Sequence, residues 1–166
     1  MGQVTQCDST RRFNFDTLLK VPSHVSEMPK VRNYVSKHLD LLTYPSPVKF
    51  QICLAIDEAL VNAIEHGNLR GEPVVEIGLN LGRDVAIFQI TDFGGTPFNP
   101  DYFEGIATVK RWGMGGRGIL LIKRLMSEVY YFFHPGEKTT LVMIKYKEHD
   151  AFKDEKADVA SLLVSF

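Results

Sequence analysis

The sequence predicts an α+β fold: a two-layer sandwich whose mixed, mostly antiparallel sheet is covered on one face by helices. Three observations predict it. Apolar residues recur at helical spacing over residues 31 to 42 and 52 to 63, whereas Val75, Ile77 and Leu79 alternate with other residues in the extended manner. Short turn-forming segments join consecutive strands as hairpins. The resulting order of strand, two helices, hairpin, loop, helix and hairpin leaves helices to pack as a layer against antiparallel strands.

Residues 12 to 21 alternate around Phe13, Phe15, Leu18 and Leu19 and form the first strand, which Pro22 and Ser23 end. Ser26 and Pro29 open a helix whose inner residues are Val31, Tyr34, Val35, His38, Leu39 and Leu42. A turn over residues 43 to 47 follows, and Ser46 with Pro47 caps a second helix ending at Gly67 and Asn68. Residues 73 to 81 and 85 to 91 form a hairpin through Gly82, Arg83 and Asp84. Residues 92 to 100 are rich in turn formers, and 101 to 112 carry little periodicity. A glycine-rich turn at 113 to 118 opens a third helix, with Ile119, Ile122, Leu125, Met126 and Val129 on one side. Residues 129 to 133 and 139 to 146 close the fold as a last hairpin. The expected organisation is a flexible tail at 1 to 11, one domain at 12 to 147, and a tail or short helix at 148 to 166.

With 166 residues, one domain can bury a sizeable core, and 45% hydrophobic with 23% charged residues is globular composition. A net charge of −1 gives no electrostatic case for nucleic acid or an anionic membrane. Cys7 and Cys53 have no metal-ligand spacing, and Cys53 falls at a helical position, so a reducing cytoplasm is expected. No run of eighteen apolar residues occurs.

The second helix carries the first candidate site. Its residues Glu58 and Asn62 are one turn apart, at about 100° per residue, and so stack on one side. Ile52, Ile56, Ala59, Leu60 and Ala63 make a separate core face. A carboxylate beside a carboxamide offers hard oxygen ligands for Mg²⁺ and a base for a hydroxyl proton. A solvated helix face is the plainer alternative.

Gly113, Gly115 and Gly118 fit a G-x-G-x-x-G pattern running into a helix, where backbone N–H groups favour phosphate. A glycine turn that merely starts a helix is again the plainer alternative. A dinucleotide-binding loop needs a strand directly before the glycines, and residues 107 to 112 make none. Asp92-Phe93-Gly94 precedes the glycines rather than following them, and no H-R-D occurs, which excludes a eukaryotic-type kinase. A Walker loop is absent.

One pattern uses all these pieces in order. The segment EALVNAIEHGN resembles the N box of the bacterial anti-sigma-factor serine kinases, within the histidine-kinase-like (GHKL) ATPases. DFGGTPFNP resembles their first glycine box, GMGGRGILLIKRLMSEV their second, and TTLVMIKY their closing strand. The resemblance spans residues 12 to 147 and implies the Bergerat ATP-binding fold with ATP and Mg²⁺ as ligands. By it, Glu58 is the catalytic carboxylate and Asn62 holds Mg²⁺ and the phosphates. Asp92 binds the adenine amino group, with Thr140 nearby through water. Gly94 and Gly95 approach the base. Gly113, Gly115, Gly116, Arg117, Gly118 and Ile119 cradle the phosphates, and His66 lines the site. Residues 101 to 117 form the lid.

The function so implied is ATP-dependent phosphorylation of serine or threonine on a small anti-anti-sigma-type protein. The resemblance also implies inhibition of a sigma factor and allows pairing of two copies of the chain. A nucleotide-gated module that sequesters a regulator without transferring phosphate is the alternative.

Overall fold

Alternating apolar residues and tight turns produce a five-stranded sheet in the computed structural model, which describes residues 15–67, 74–94 and 117–148. Strands β1 (Thr17–Pro22), β2 (Val74–Leu81), β3 (Val85–Asp92), β4 (Glu128–His134) and β5 (Lys138–Tyr146) lie in the order β1-β2-β3-β5-β4. Every described pairing is antiparallel. The expected hairpins are both present. The last strand is not at the sheet's edge but between β3 and β4.

Helices α1 (Met28–Leu41), α2 (Ser46–Gly67) and α3 (Arg117–Leu125) pack together over the sheet. A short 3-10 turn, Val25–Glu27, precedes α1. His24, rather than Ser26, caps that turn: its Nδ1 accepts from the Ser26 N–H at 3.1 Å. Pro29 stands in the first turn of α1, where its missing N–H costs no helical bond. Val31, Val35 and Leu39 recur every fourth residue and are buried against the core. The partly exposed Arg32–Asp57 pair, at 2.6 Å, ties α1 to α2.

The core between helices and sheet holds Ile52, Ile56 and Leu60 of α2 against Ile77, Phe88 and Met143. The opposite sheet face is also buried: Val142, Ile144 and Tyr146 form a second cluster with Phe15 and Phe132. Phe15 lies against Gly78, where an added Cβ would meet the ring at 3.0 Å. β5 is therefore buried on both faces, which explains why its apolar residues run almost without interruption. The first strand begins at Thr17 rather than at residue 12, and 12 to 14 lie outside the described residues.

The turn after α1 fastens the far end of the layers. Thr43 takes φ 59, the left-handed conformation that glycine usually supplies at a helix end. Its N–H donates to Asp40 O and that of Tyr44 to Leu39 O, each at 3.0 Å. Lys147 Nζ donates to Leu42 O at 3.0 Å and to Thr43 Oγ1 at 3.1 Å. Tyr44 is buried, and its hydroxyl donates to Gly82 O at 2.8 Å, joining this turn to the β2–β3 turn.

Burial, with the Asp84 charge nearby, pushes the Tyr44 phenol up to about 12. The folded state therefore holds that proton more tightly than the unfolded chain, whose phenol titrates near 10. Its stabilising contribution is complete below pH 10 and is lost as pH rises toward 12. Tyr44→Phe is expected to cost about 1 kcal/mol in urea unfolding at pH 7. The variant should also lose the part of the alkaline stability decline that belongs to this phenol.

Candidate functional site

Helix packing cannot close where side chains are small, and α2 presents Ala59 and Ala63, both buried, toward one end of the sheet. A small cavity of about 30 Å³ remains between them and the strands. Ile90 and Asp92 from β3, Thr139 and Leu141 from β5, and Tyr131 from β4 complete its lining with Asn62.

Register explains which residues face it. Ile90 pairs with Leu141 and Asp92 with Thr139, and residues two apart on a strand share a face. Asp92 and Thr139 thus stand side by side at the polar end of an otherwise apolar floor. Asp92 is 8% exposed, and its Oδ1 accepts from the Gly94 N–H at 3.1 Å. The short turn after β3 therefore orients the carboxylate.

Asn62 enters from the helix. Its Nδ2 is buried with no hydrogen-bond partner among the described residues. A buried donor left unsatisfied costs about 1–3 kcal/mol, so this amide calls for an acceptor beyond the described residues. Glu58, one turn earlier, meets the start of α3. A Cβ added at Gly118 would fall 2.7 Å from Glu58 Oε2 and 3.5 Å from both amide atoms of Asn62. A side chain at 118 would therefore push the Glu58 carboxylate aside, and glycine leaves that carboxylate beside the first turn of α3.

The structure thus brings Glu58, Asn62, Asp92, Gly94 and Gly118 into one region. Thr140 is a correction: it lies on the other face of the sheet, where its hydroxyl meets Thr91 Oγ1 at 3.0 Å. Thr139 occupies the place beside Asp92 instead. Ile119 is buried at 2% exposure, so its side chain belongs to the interior and only its backbone could serve a ligand. His66 and Arg117 lie within helices, but their side chains, with Gly95, Gly113, Gly115, Gly116 and the 101–116 stretch of the expected lid, lie outside the described residues. Sequence reasoning missed Thr139 and Tyr131. Strand parity from Asp92 would have found the first, because its register partner must share its face.

Among the described residues no cluster of three or more His, Cys, Asp or Glu could hold a metal. Mg²⁺ bound with a nucleotide needs no such cluster, since phosphate and water oxygens fill most of its positions. A single carboxamide oxygen at Asn62, beside a carboxylate at Glu58, fits that donor set.

A helix bearing an acid and an amide above an antiparallel sheet, met by the glycine start of another helix, defines the class of histidine-kinase-like ATPase folds. The chain belongs to the histidine kinase-like ATPase domain family, whose model matches residues 21–145. Among solved structures, 78 chains match. One, from the crystal structure of the SiaB–SiaC complex of Pseudomonas aeruginosa, is 15% identical with a TM-score of 0.59. That match covers 85% of this chain and 95% of the other, and shows a shared fold. No curated protein matches the chain.

The contact at Gly118 is directly testable. Alanine ordinarily stabilises a helix relative to glycine by about 0.5–1 kcal/mol. Gly118→Ala alone is expected to show no such gain in urea unfolding, because the new methyl displaces the Glu58 carboxylate. In a Glu58→Ala background the same substitution should recover it, a coupling readable in a double-mutant cycle.

Proposed function

We propose that the chain is an ATP-dependent protein serine/threonine kinase acting on a small anti-anti-sigma-type regulatory protein. The observation that carries the reading is the unsatisfied Asn62 amide in the same cavity as Asp92, with Glu58 one helical turn away against Gly118. Asp92 accepts from the adenine amino group, and the Thr139 hydroxyl beside it takes the role expected of Thr140. Gly94 and Gly95 lie close to the base. Asn62 and the backbone of residues 113 to 119 hold the phosphates, with Arg117 and His66 at the margins of the site.

Mg²⁺, when bound with the triphosphate, neutralises phosphate charge, and the Asn62 oxygen is its protein ligand. Glu58 orients the incoming serine hydroxyl and accepts its proton as the oxygen bonds to the terminal phosphorus. The bond from that phosphorus to its bridging oxygen breaks, and ADP leaves with the electron pair. Positioning and charge neutralisation supply most of the rate.

The same chain sequesters a sigma factor, and its level of phosphorylated partner sets how much sigma factor is released. The outer edge of β1, unpaired among the described residues and with Leu18 58% exposed, is the surface through which two copies join. The setting is the cytoplasm. Among the described residues no helix is long and apolar enough to cross a membrane.

Labelled ATP offered with the substrate protein tests the reading: a kinase yields labelled serine or threonine, whereas a nucleotide-gated module binds and yields none. Glu58→Gln should keep ATP affinity within about twofold and lower transfer by about 10²–10⁴-fold. Transfer at the parental rate in that variant removes Glu58 from the chemistry. Asn62→Ala should weaken binding of Mg-ATP by about tenfold or more in calorimetry. Unchanged affinity there would detach the cavity from the nucleotide.

A further inference from the structure

Gln89 and Thr91 of β3, with Thr140, Val142 and Ile144 of β5, share the sheet face turned away from the helices, and none is more than 3% exposed. Side chains on an open sheet face stand upright with their tips in water, so sealing to this degree needs a layer above them. Within the apolar cluster on this face, Phe15 is the one described residue from outside the five strands. Its ring lies over Gly78 of β2, on the side away from β4. Gln89 Oε1 is buried on the same face with no partner among the described residues, and calls for a donor from that layer.

We propose that residues 149–166 supply the layer, as a helix laid across the rear face of the sheet. β5 ends at Tyr146, itself buried in the rear cluster, so the segment starts at the margin of the face it covers. Val159, Leu162, Leu163 and Phe166 stand at i, i+3, i+4 and i+7, and Phe152 extends the same stripe two turns earlier. A helix over 152–166 is about 22 Å long, against about 19 Å between the outermost strands of such a sheet. The other stretches of chain do not fit. Residues 95–116 leave from the turn that holds Asp92 and return at Gly118 against Glu58, both bordering the cavity under α2. Residues 68–73 contain one large apolar residue, Leu69, and 1–14 are mostly polar and join the described chain at Phe15, on the β2 side.

A nitroxide on Ser165→Cys, opposite the apolar stripe, tests this by NMR in the full-length chain with Cys7→Ser and Cys53→Ala. It should broaden the methyl signals of Val142 and Ile144 and leave those of Val31 and Val35 in α1 little changed. The broadening should survive about tenfold dilution, because the contact lies within one chain. Leu162→Asp with Leu163→Asp should abolish it and raise the fluorescence of a hydrophobic dye severalfold, while the labelled parent decides the matter if that variant does not fold. Val142 and Ile144 signals untouched by the label would overturn the proposal. So would broadening that fades on dilution, which assigns the face to a second copy, or dye binding produced by Phe13→Ser and not by the double aspartate, which assigns it to residues 1–14.

Discussion

The approach of α2 to the sheet is the constraint on which the molecule depends. Ala55, Ala59 and Ala63 are nearly fully buried along the helix, while Ile52, Ile56 and Leu60 fill the space beside them. Large residues fix the helix in register, and small ones set how close it lies. Toward its C-terminal end the short side chains of Ala59 and Ala63 do not fill the space up to Ile90 and Leu141 opposite, and a cavity remains. Core packing and site formation are thus two results of one helix surface. Asn62 sits at the boundary between them, which is why its amide is buried yet unsatisfied among the described residues.

The start of α3 is subject to a second closeness condition. Gly118 lets backbone occupy the place where a side chain would meet Glu58. The far side of α3 is anchored by Ile119 and Ile122, both buried. The helix is therefore held by its apolar face, while its first turn remains against the acid and the amide. An anion at that turn would meet N–H groups already pointing along the helix axis.

Helices and hairpins were legible because their periods are physical: Val31, Val35 and Leu39 cannot form one face in any other conformation. Glu58 and Asn62 were legible as a stacked pair for the same reason. The choice between Thr139 and Thr140 was not. Two adjacent threonines on a strand face opposite sides, and only the register with Asp92 decides which enters the cavity. Burial of both sheet faces was visible in the unbroken apolar run of β5 but could be mistaken for an ordinary one-sided strand. On the hidden face a polar chain remains. Gln89 Nε2 donates to Thr91 Oγ1 at 3.5 Å, Thr91 meets Thr140, and Gln89 Oε1 is buried without a partner among the described residues. No local pattern announces such a group.

The position of β5 has a consequence for how the chain comes to be folded. It is the last of the described strands in sequence but occupies the middle of the sheet, and among them β4 has no other partner. During synthesis from the N-terminus, β3 emerges long before the strand that shields its flank, and β4 waits with it. Lys147, directly after β5, then joins the carbonyl of Leu42, 105 residues earlier. Pairing along this flank of β3 thus waits until β5 leaves the ribosome, and until then β3 is an open template for the wrong neighbour.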